Sequence, residues 1–189
     1  MTAPSPDNPT SATSGGSSDP IAPTGFAARV ATTADGEAVG EVHAASWAAA
    51  YAPRFPADFA QEGIADRRTR WHPRIAAGEG IIMLGSLDDR PLAMSWSVPS
   101  ESRTGLAEIY SFYTHPNGWG SGVSAALMHA TLRQLKASGY EQVHLWTLRD
   151  TPQSRRFYLK CGFTETGATQ IRDFGDNNLL PQVEYERST

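Results

Sequence analysis

Three glycines stand within five residues of the stretch HPNGWGSGVSAALMHATL, which begins at His115 and continues into an alanine- and leucine-rich segment. The first amides of a helix have no partner within the helix, and together with the helix dipole they attract anions. Glycine at Gly118, Gly120 and Gly122 permits positive φ angles and close approach of phosphate oxygens. The stretch therefore predicts phosphate binding at a helix start, although the same glycines also fit a flexible turn that caps a helix.

The spacing around these glycines excludes two common phosphate-binding motifs. No lysine followed by serine or threonine comes after Gly122, so the stretch is not a P-loop. The predicted helix also lies deep in the chain and lacks the glycine spacing of a dinucleotide-binding fold. The absence of both motifs weakens the alternative that the protein is a nucleotide-dependent enzyme.

The elements before the glycines are predicted from hydrophobic periodicity. Asp35 is expected to cap a first helix that ends before Pro53, and Pro73 is expected to kink or divide a second helix that Gly78 ends. A polar turn, DDR, between two apolar segments predicts a hairpin. The predicted strands are TGFAARVATTAD, IIMLGSL, PLAMSWSV and LAEIYSFYT.

After the glycines the pattern predicts one long helix, from Gly122 to Ser138, followed by strands and a short helix. These elements are VHLWTL, the helix SRRFYLKC, and the closing strands GFTETG and PQVEYER. Hairpins followed by a strand, helix, strand unit imply both antiparallel and parallel pairs. The predicted fold class is α/β of the α+β type: one domain over residues 24–189, with a mixed central sheet of six to seven strands and helices on both faces.

Composition limits the location and partners of the protein. Residues 1–23 are rich in Pro, Ser, Thr and Gly and predict a disordered tail with neither a secretory signal nor an apolar span. The lone cysteine, Cys161, is read as structural and fits a reducing compartment, so a cytoplasmic protein is expected. The net charge of −4, with no basic face, argues against nucleic-acid partners, and no membrane partner is expected. The five histidines lack the spacing of a metal site, so no metal is expected.

The sequence EIYSFYTHPNGWGSGVSAALM closely resembles the acyl-CoA-binding signature of the GNAT superfamily of N-acetyltransferases. In that family a strand leads to a Gln/Arg-x-x-Gly-x-Gly/Ala loop and a helix. EVHAASWAAAY looks like the family's first helix, and SRRFYLKCGF looks like its late helix and following strand. The resemblance covers nearly the whole predicted domain and implies a GNAT-like fold with acetyl-CoA as the acyl donor.

The resemblance also implies which residues hold the donor. Trp119 takes the Gln/Arg position of the loop and Ser124 the final Gly/Ala position, and both depart from the family pattern. A family asparagine that contacts the cofactor falls on Thr151, which is another departure. A bulge or splay is expected where the preceding strand would bind the pantetheine arm. The remaining implied contacts are the backbone of Phe112, Tyr113 and Thr114, and the loop residues Gly120, Ser121, Gly122 and Val123.

The implied reaction is direct transfer of an acetyl group to a primary amine of a small molecule or peptide, without a covalent enzyme intermediate. Tyr158 matches the family's general acid, and a phenol with a pKa of about 10 can protonate a leaving thiolate; the alternative is a core aromatic residue beside Phe157. Glu108 matches a glutamate that serves as the base, directly or through water, and the alternative is a solvent-facing charge at a strand end.

The acceptor is expected near the first two helices, against an apolar wall formed by Trp47, Tyr51, Trp71 and Tyr110. Trp47 and Tyr51, four residues apart, also fit ordinary core packing. The substitutions at Trp119 and Ser124 keep open a second hypothesis, a catalytically idle acyl-CoA-binding or scaffold protein of the same fold. Members of the family often dimerise, and the resemblance permits a homodimer here.

Overall fold

A computed structural model describes residues 25–189, so the predicted tail at 1–23 lies outside the described residues. None of the helices in this part of the chain is both long and apolar enough to cross a bilayer. The elements follow the order β1 (Phe26–Val30), α1 (Gly36–Ala50), α2 (Ala57–Thr69), α3 (Trp71–Ala77), β2 (Ile81–Leu87), β3 (Arg90–Pro99), β4 (Leu106–Thr114), α4 (Val123–Ala137), β5 (Gln142–Leu148), α5 (Pro152–Lys160), β6 (Thr164–Asp173) and β7 (Leu179–Ser188).

The seven strands form one mixed sheet in the order β1-β2-β3-β4-β5-β7-β6, in which β4 and β5 pair in parallel and the other neighbours are antiparallel. Leu84 and Met94 pack with α1 and α3 on one face, whereas Met83 and Ala93 pack with α4 on the other. α5 contributes Tyr158 to the core on the α4 face. The predicted mixed sheet with helices on both faces is confirmed.

The division of the second helix and the hairpin turn follow the local sequence signals, whereas the expected helix cap at Asp35 does not. The second predicted helix is divided into α2 and α3, with Pro73 in the first turn of α3, and Gly78 ends α3 with a φ of 69°. The turn between β2 and β3 has positive φ at both Asp88 and Asp89, as two-residue hairpin turns require. Asp35 precedes α1 but makes no capping bond to it, because its carboxylate accepts from Arg29 at 2.7 Å and from the Thr32 amide at 2.7 Å.

α1 and α2 pack backbone against backbone at Gly40. A Cβ added at Gly40 would lie 2.1 Å from the carbonyl oxygen of Arg68, which is far closer than atoms can approach. Because Arg68 belongs to α2, this contact fixes the distance between α1 and α2.

We therefore expect Gly40→Ala to lower the free energy of unfolding by about 1–3 kcal/mol, because the added methyl group separates α1 from α2. In an unobstructed helix the same change would stabilise the protein by about 1 kcal/mol through helix propensity. Urea denaturation of the purified variant measures the difference. Ala49→Gly, at an exposed position of α1, is the control for propensity alone. An increase in stability for Gly40→Ala would contradict the close approach.

Candidate active site

The sheet opens between β4 and β5. The two strands pair only at Leu106–Gln142, Ala107–Val143 and Glu108–His144. Beyond this point β4 runs on to Thr114 while β5 remains paired with β7 along its whole length. A bulge leaves Tyr110 without a partner on β3. A bulge or splay is expected at Phe112–Thr114; β4 is splayed from β5 there, whereas the bulge lies earlier in the strand, at Tyr110. The splay creates a wedge, defined here as the gap between β4 after Glu108 and β5 after His144.

The glycine loop presents main-chain amides at the start of α4. Gly120 and Gly122 have φ angles of 75° and 95°, in the left-handed region that favours glycine. Within residues 25–189, the amides of Gly120, Gly122, Ser124 and Ala125 donate to no protein acceptor. The Val123 amide is the exception, since it donates to the Ser121 hydroxyl at 3.3 Å. Free amides at a helix start form an anion-binding concavity, which fits the predicted phosphate site.

The two side chains that depart from the family pattern are both tied to the end of β4. The indole N–H of Trp119 donates to the carbonyl oxygen of Thr114 at 2.9 Å. The hydroxyl of Ser124 lies 2.8 Å from the hydroxyl of Thr114. The anion-binding groups of this loop therefore belong to the main chain, and Ser124 directs its extra atoms toward β4.

Thr151 precedes α5, where the resemblance places a cofactor-binding residue. Its hydroxyl donates to the carbonyl oxygen of Leu148 at 2.6 Å and lies 3.5 Å from the hydroxyl of Thr147. The side chain is therefore engaged in holding the turn between β5 and α5.

Tyr158 projects from α5 into the core beside the wedge and is only 8% exposed. Its ring packs against Phe157, Phe163 and Tyr185, at centroid distances of 5.5, 5.9 and 5.9 Å. Within the described residues its hydroxyl makes no hydrogen bond to protein. Burial raises the pKa of Tyr158 far above its usual value, and the nearby Tyr113 raises it further. The phenol is therefore fully protonated at neutral pH.

Two more tyrosine side chains lie near Tyr158 and come from other elements of the fold. Tyr113 is on β4 and Tyr51 follows α1, and their rings are 6.2 Å apart. Burial raises the pKa of Tyr51, and proximity to Tyr113 and Tyr158 adds to the shift. Because α1 and α5 lie on opposite faces of the sheet, Tyr51 and Tyr158 approach each other through the wedge.

Glu108 stands at the closed end of the wedge, next to a network of charged and polar side chains. Its carboxylate lies 3.9 Å from Nε2 of His144, which is 1% exposed. The Glu184 carboxylate can only accept, so Nδ1–H of His144 donates to it at 2.9 Å, and the Ser100 hydroxyl lies 2.7 Å from Nε2. Arg103 donates to Glu184 at 2.6 Å and completes the network.

The electrostatic environment of Glu108 makes its carboxyl group a stronger base than an exposed glutamate. Burial raises the pKa of Glu108, while His144 and Arg172 act in the opposite direction. The side chain retains 15% exposure, so water can reach it. A carboxylate of this kind can take up a proton from a substrate directly or through water.

The predicted acceptor wall is only partly at the surface. Trp47 and Trp71 are fully buried, and the Trp71 indole donates to Nδ1 of His43 at 3.1 Å. Tyr51 is half-buried, and Tyr110 is 43% exposed. The two tryptophans therefore lie behind the wall, because Arg67 of α2 stacks on Trp47 and Trp71 packs into the core between α1 and the sheet. Only the two tyrosines reach the surface.

Sequence reasoning missed several residues near the wedge. His144 and Glu184 alternate with the buried Val143 and Val183 on their strands, and this period-two pattern could have placed both on the face of Glu108. Phe174, in the turn between β6 and β7, packs against Tyr51 with their ring centroids 6.3 Å apart. No sequence signal predicts this contact, because it joins distant parts of the chain.

The fold is shared with solved structures described as acetyltransferases or putative acetyltransferases. PaiA N-acetyltransferase of Thermoplasma acidophilum, solved with coenzyme A, superimposes with a TM-score of 0.67 at 16% identity, over 87% of this chain and 99% of that one. YncA of Salmonella typhimurium, solved with acetyl-CoA, gives a TM-score of 0.62 at 18% identity, over 87% and 94% of the two chains. At identities this low, these superpositions show a shared fold and nothing more.

The sequence is similar to curated proteins as well. A mycothiol acetyltransferase of Actinosynnema mirum is 27% identical over 114 residues, which cover 52% of this chain and 38% of that protein. The match thus spans well under half of that relative. The profile of the Acetyltransferase (GNAT) family matches residues 44–163, a range that includes the wedge, the glycine loop and Tyr158. On this match and the fold, the chain belongs to the acetyltransferase (GNAT) family.

Proposed function

We propose that the protein is an acetyl-CoA-dependent N-acetyltransferase that moves the acetyl group directly to a primary amine. The observation that carries the proposal is the meeting of three features at one wedge. These are free main-chain amides at the start of α4, the buried phenol of Tyr158, and the partly buried carboxylate of Glu108. Family membership and the coenzyme A and acetyl-CoA complexes of PaiA and YncA support the choice of donor.

The donor would be held mainly by backbone. The amides of Gly120, Gly122, Ser124 and Ala125 fit the pyrophosphate, because they are unpartnered and lie at the positive end of α4. The unpaired edge of β4, from Phe112 to Thr114, offers peptide groups to the pantetheine arm. When bound, acetyl-CoA supplies an acetyl group activated as a thioester.

Each proton transfer then has a residue to perform it. Glu108 takes a proton from the ammonium form of the acceptor, directly or through water, and leaves a neutral amine whose nitrogen bonds to the acetyl carbon. Tyr158 donates its hydroxyl proton to the sulfur as the carbon–sulfur bond breaks. The nitrogen loses a second proton as the amide forms, and this proton restores Tyr158 directly or through water. Glu108 releases the first proton to solvent, so the products are the amide, the free thiol and one proton. No enzyme nucleophile is needed, which agrees with the buried position of Cys161.

The idle-scaffold alternative was based on Trp119 and Ser124. Both side chains bind Thr114, and neither replaces a main-chain donor of the loop. This arrangement leaves the main-chain donors of the loop available and supports a competent donor site.

Thermal unfolding with and without acetyl-CoA tests the donor site. Ligand at 100 times its dissociation constant adds about 2.7 kcal/mol, which raises the unfolding midpoint by several degrees. ATP and NAD at the same concentration are the controls, and we expect acetyl-CoA to give the larger rise. The absence of any rise with acetyl-CoA would contradict the proposed function.

Tyr158→Phe should lower kcat by about 10²- to 10⁴-fold, because the variant keeps the buried ring and loses the proton donor. The acetyl-CoA-induced rise in unfolding midpoint should remain. The measurement is thiol release in the presence of an amine acceptor. Tyr185→Phe, which removes a hydroxyl bonded to Glu165 in the same core, is the matched control and should retain turnover. Full turnover by Tyr158→Phe would exclude this residue as the acid.

The pH profile of kcat/KM should report Glu108. The base must be ionised, so activity should fall as pH drops through its pKa, which burial places above the value of about 4.3 for a free glutamate. Glu108→Gln should abolish this acid limb and lower kcat/KM. His144→Gln should move the limb to higher pH, because His144 lowers the pKa of Glu108.

Glu141→Gln, at an exposed position, is the control for the profile and should leave it unchanged. An acid limb that persists in Glu108→Gln would assign the base to another group.

A further inference from the structure

Arg67 of α2 carries a charge that the protein does not neutralise. Its guanidinium stacks 4.2 Å from the centre of the Trp47 ring, and its Nη1 donates to the carbonyl oxygen of Gly63 at 2.8 Å. The Nε atom is buried and has no partner, and among the described residues no carboxylate pairs with this side chain. A half-buried cation without a counterion is costly, so its retention calls for an anion from outside the protein.

Arg67 lies on the acceptor side of the reacting centre. The Trp47 ring on which it stacks lies 6.2 Å from the ring of Tyr51, and the Tyr51 ring lies 6.2 Å from that of Tyr113 on β4. The charge of Arg67 acts on both tyrosines. The stack on Trp47 fixes the plane of the guanidinium, so its remaining edge is preorganised for a planar, two-oxygen partner such as a carboxylate.

A second cation, Arg172, lies against the aromatic residues near Tyr113. Arg172 of β6 lies 4.8 Å from the ring of Tyr110 and 6.0 Å from that of Phe174, and it contacts the Tyr110 hydroxyl. Its charge also acts on Tyr113. Arg70, the third arginine near Tyr113, is already paired with Asp66. The acceptor side of Tyr113 is therefore flanked by two arginines without carboxylate partners among the described residues.

The surroundings of these arginines are aromatic. The half-buried ring of Phe174 contacts those of Tyr51 and Phe55, at centroid distances of 6.3 and 5.9 Å. An acceptor that fits here combines an amine for the acetyl group, an anion for Arg67 and an apolar substituent for the rings.

We propose that the acceptor carries a carboxylate close to its amine, as an α-amino acid with an apolar side chain does, and that Arg67 binds this carboxylate with Arg172 as the second cation. The inference rests on the proposed function and names its substrate class. Arg67 is a specificity-determining residue in this assignment, and the buried Trp47 holds it in place.

The test uses acceptors that differ only in the carboxylate. The full chain is assayed with acetyl-CoA and either L-phenylalanine, L-methionine or L-leucine, each against its carboxamide. We expect Arg67→Gln to raise KM for the acids by about 10- to 100-fold, which corresponds to one charged hydrogen-bonded contact, and to change KM for the amides less than about threefold. Arg67→Lys should restore part of the loss for the acids. Arg68→Gln, whose exposed side chain pairs with Glu41, is the matched control.

The outcomes separate this inference from the proposed function. Acetylation of amides and acids with equal sensitivity to Arg67→Gln would overturn the inference and leave the acetyltransferase assignment intact. If acetyl-CoA stabilises the protein but none of these acceptors reacts, binding of N-acetyl-L-phenylalanine and its amide is measured by tryptophan fluorescence. Preference for the acid that is lost in Arg67→Gln supports the inference, and equal binding overturns it. Failure of acetyl-CoA to bind contradicts the proposed function itself.

Discussion

The parallel pairing of β4 and β5 ends after three residue pairs, and the proposed active site depends on that break. A continuous sheet would separate its two faces, and the phenols of Tyr51 and Tyr158 would never approach each other. The break is stable because each diverging strand keeps one partner: β4 pairs with β3 around the Tyr110 bulge, and β5 pairs with β7. Main-chain groups of β4 that β5 no longer satisfies are thereby left available within the protein.

Side chains at the closed end of the wedge hold the proposed base in a prepared environment. Glu184 accepts from His144 and from Arg103, and its other oxygen accepts from Thr166 at 2.7 Å. Because these partners satisfy the buried polar groups, His144 is fixed in orientation beside Glu108. The network costs desolvation energy, which its hydrogen bonds offset, and it supplies an electric field that acts on Glu108 before any substrate arrives.

Periodic patterns predicted the local structure well, because short-range forces determine it. The division of the second helix near Pro73, the hairpin turn at Asp88 and the long helix after Gly122 all follow from local residue preferences. Contacts between distant segments were beyond such reasoning. Asp35 does not cap α1, because its carboxylate pairs with Arg29. Trp71 is a core residue, because α3 packs onto the sheet. For the site, the loop and the splay were predictable, whereas the neighbours of Glu108 and the position of Arg67 depend on which strands and helices become adjacent.

The two halves of the proposed site differ in whether main-chain groups or side chains form them. The proposed donor side consists of main-chain amides at the start of α4 and the free edge of β4, whereas the proposed acceptor side consists of side chains from α2, the end of α1 and the turn after β6. Substitutions change side chains and leave peptide groups in place, so mutation can alter the acceptor wall while the donor cradle persists. Divergence of such a sequence would therefore change the amine it accepts long before it loses its acyl donor, and descendants of one ancestral chain could serve different substrates with the same chemistry.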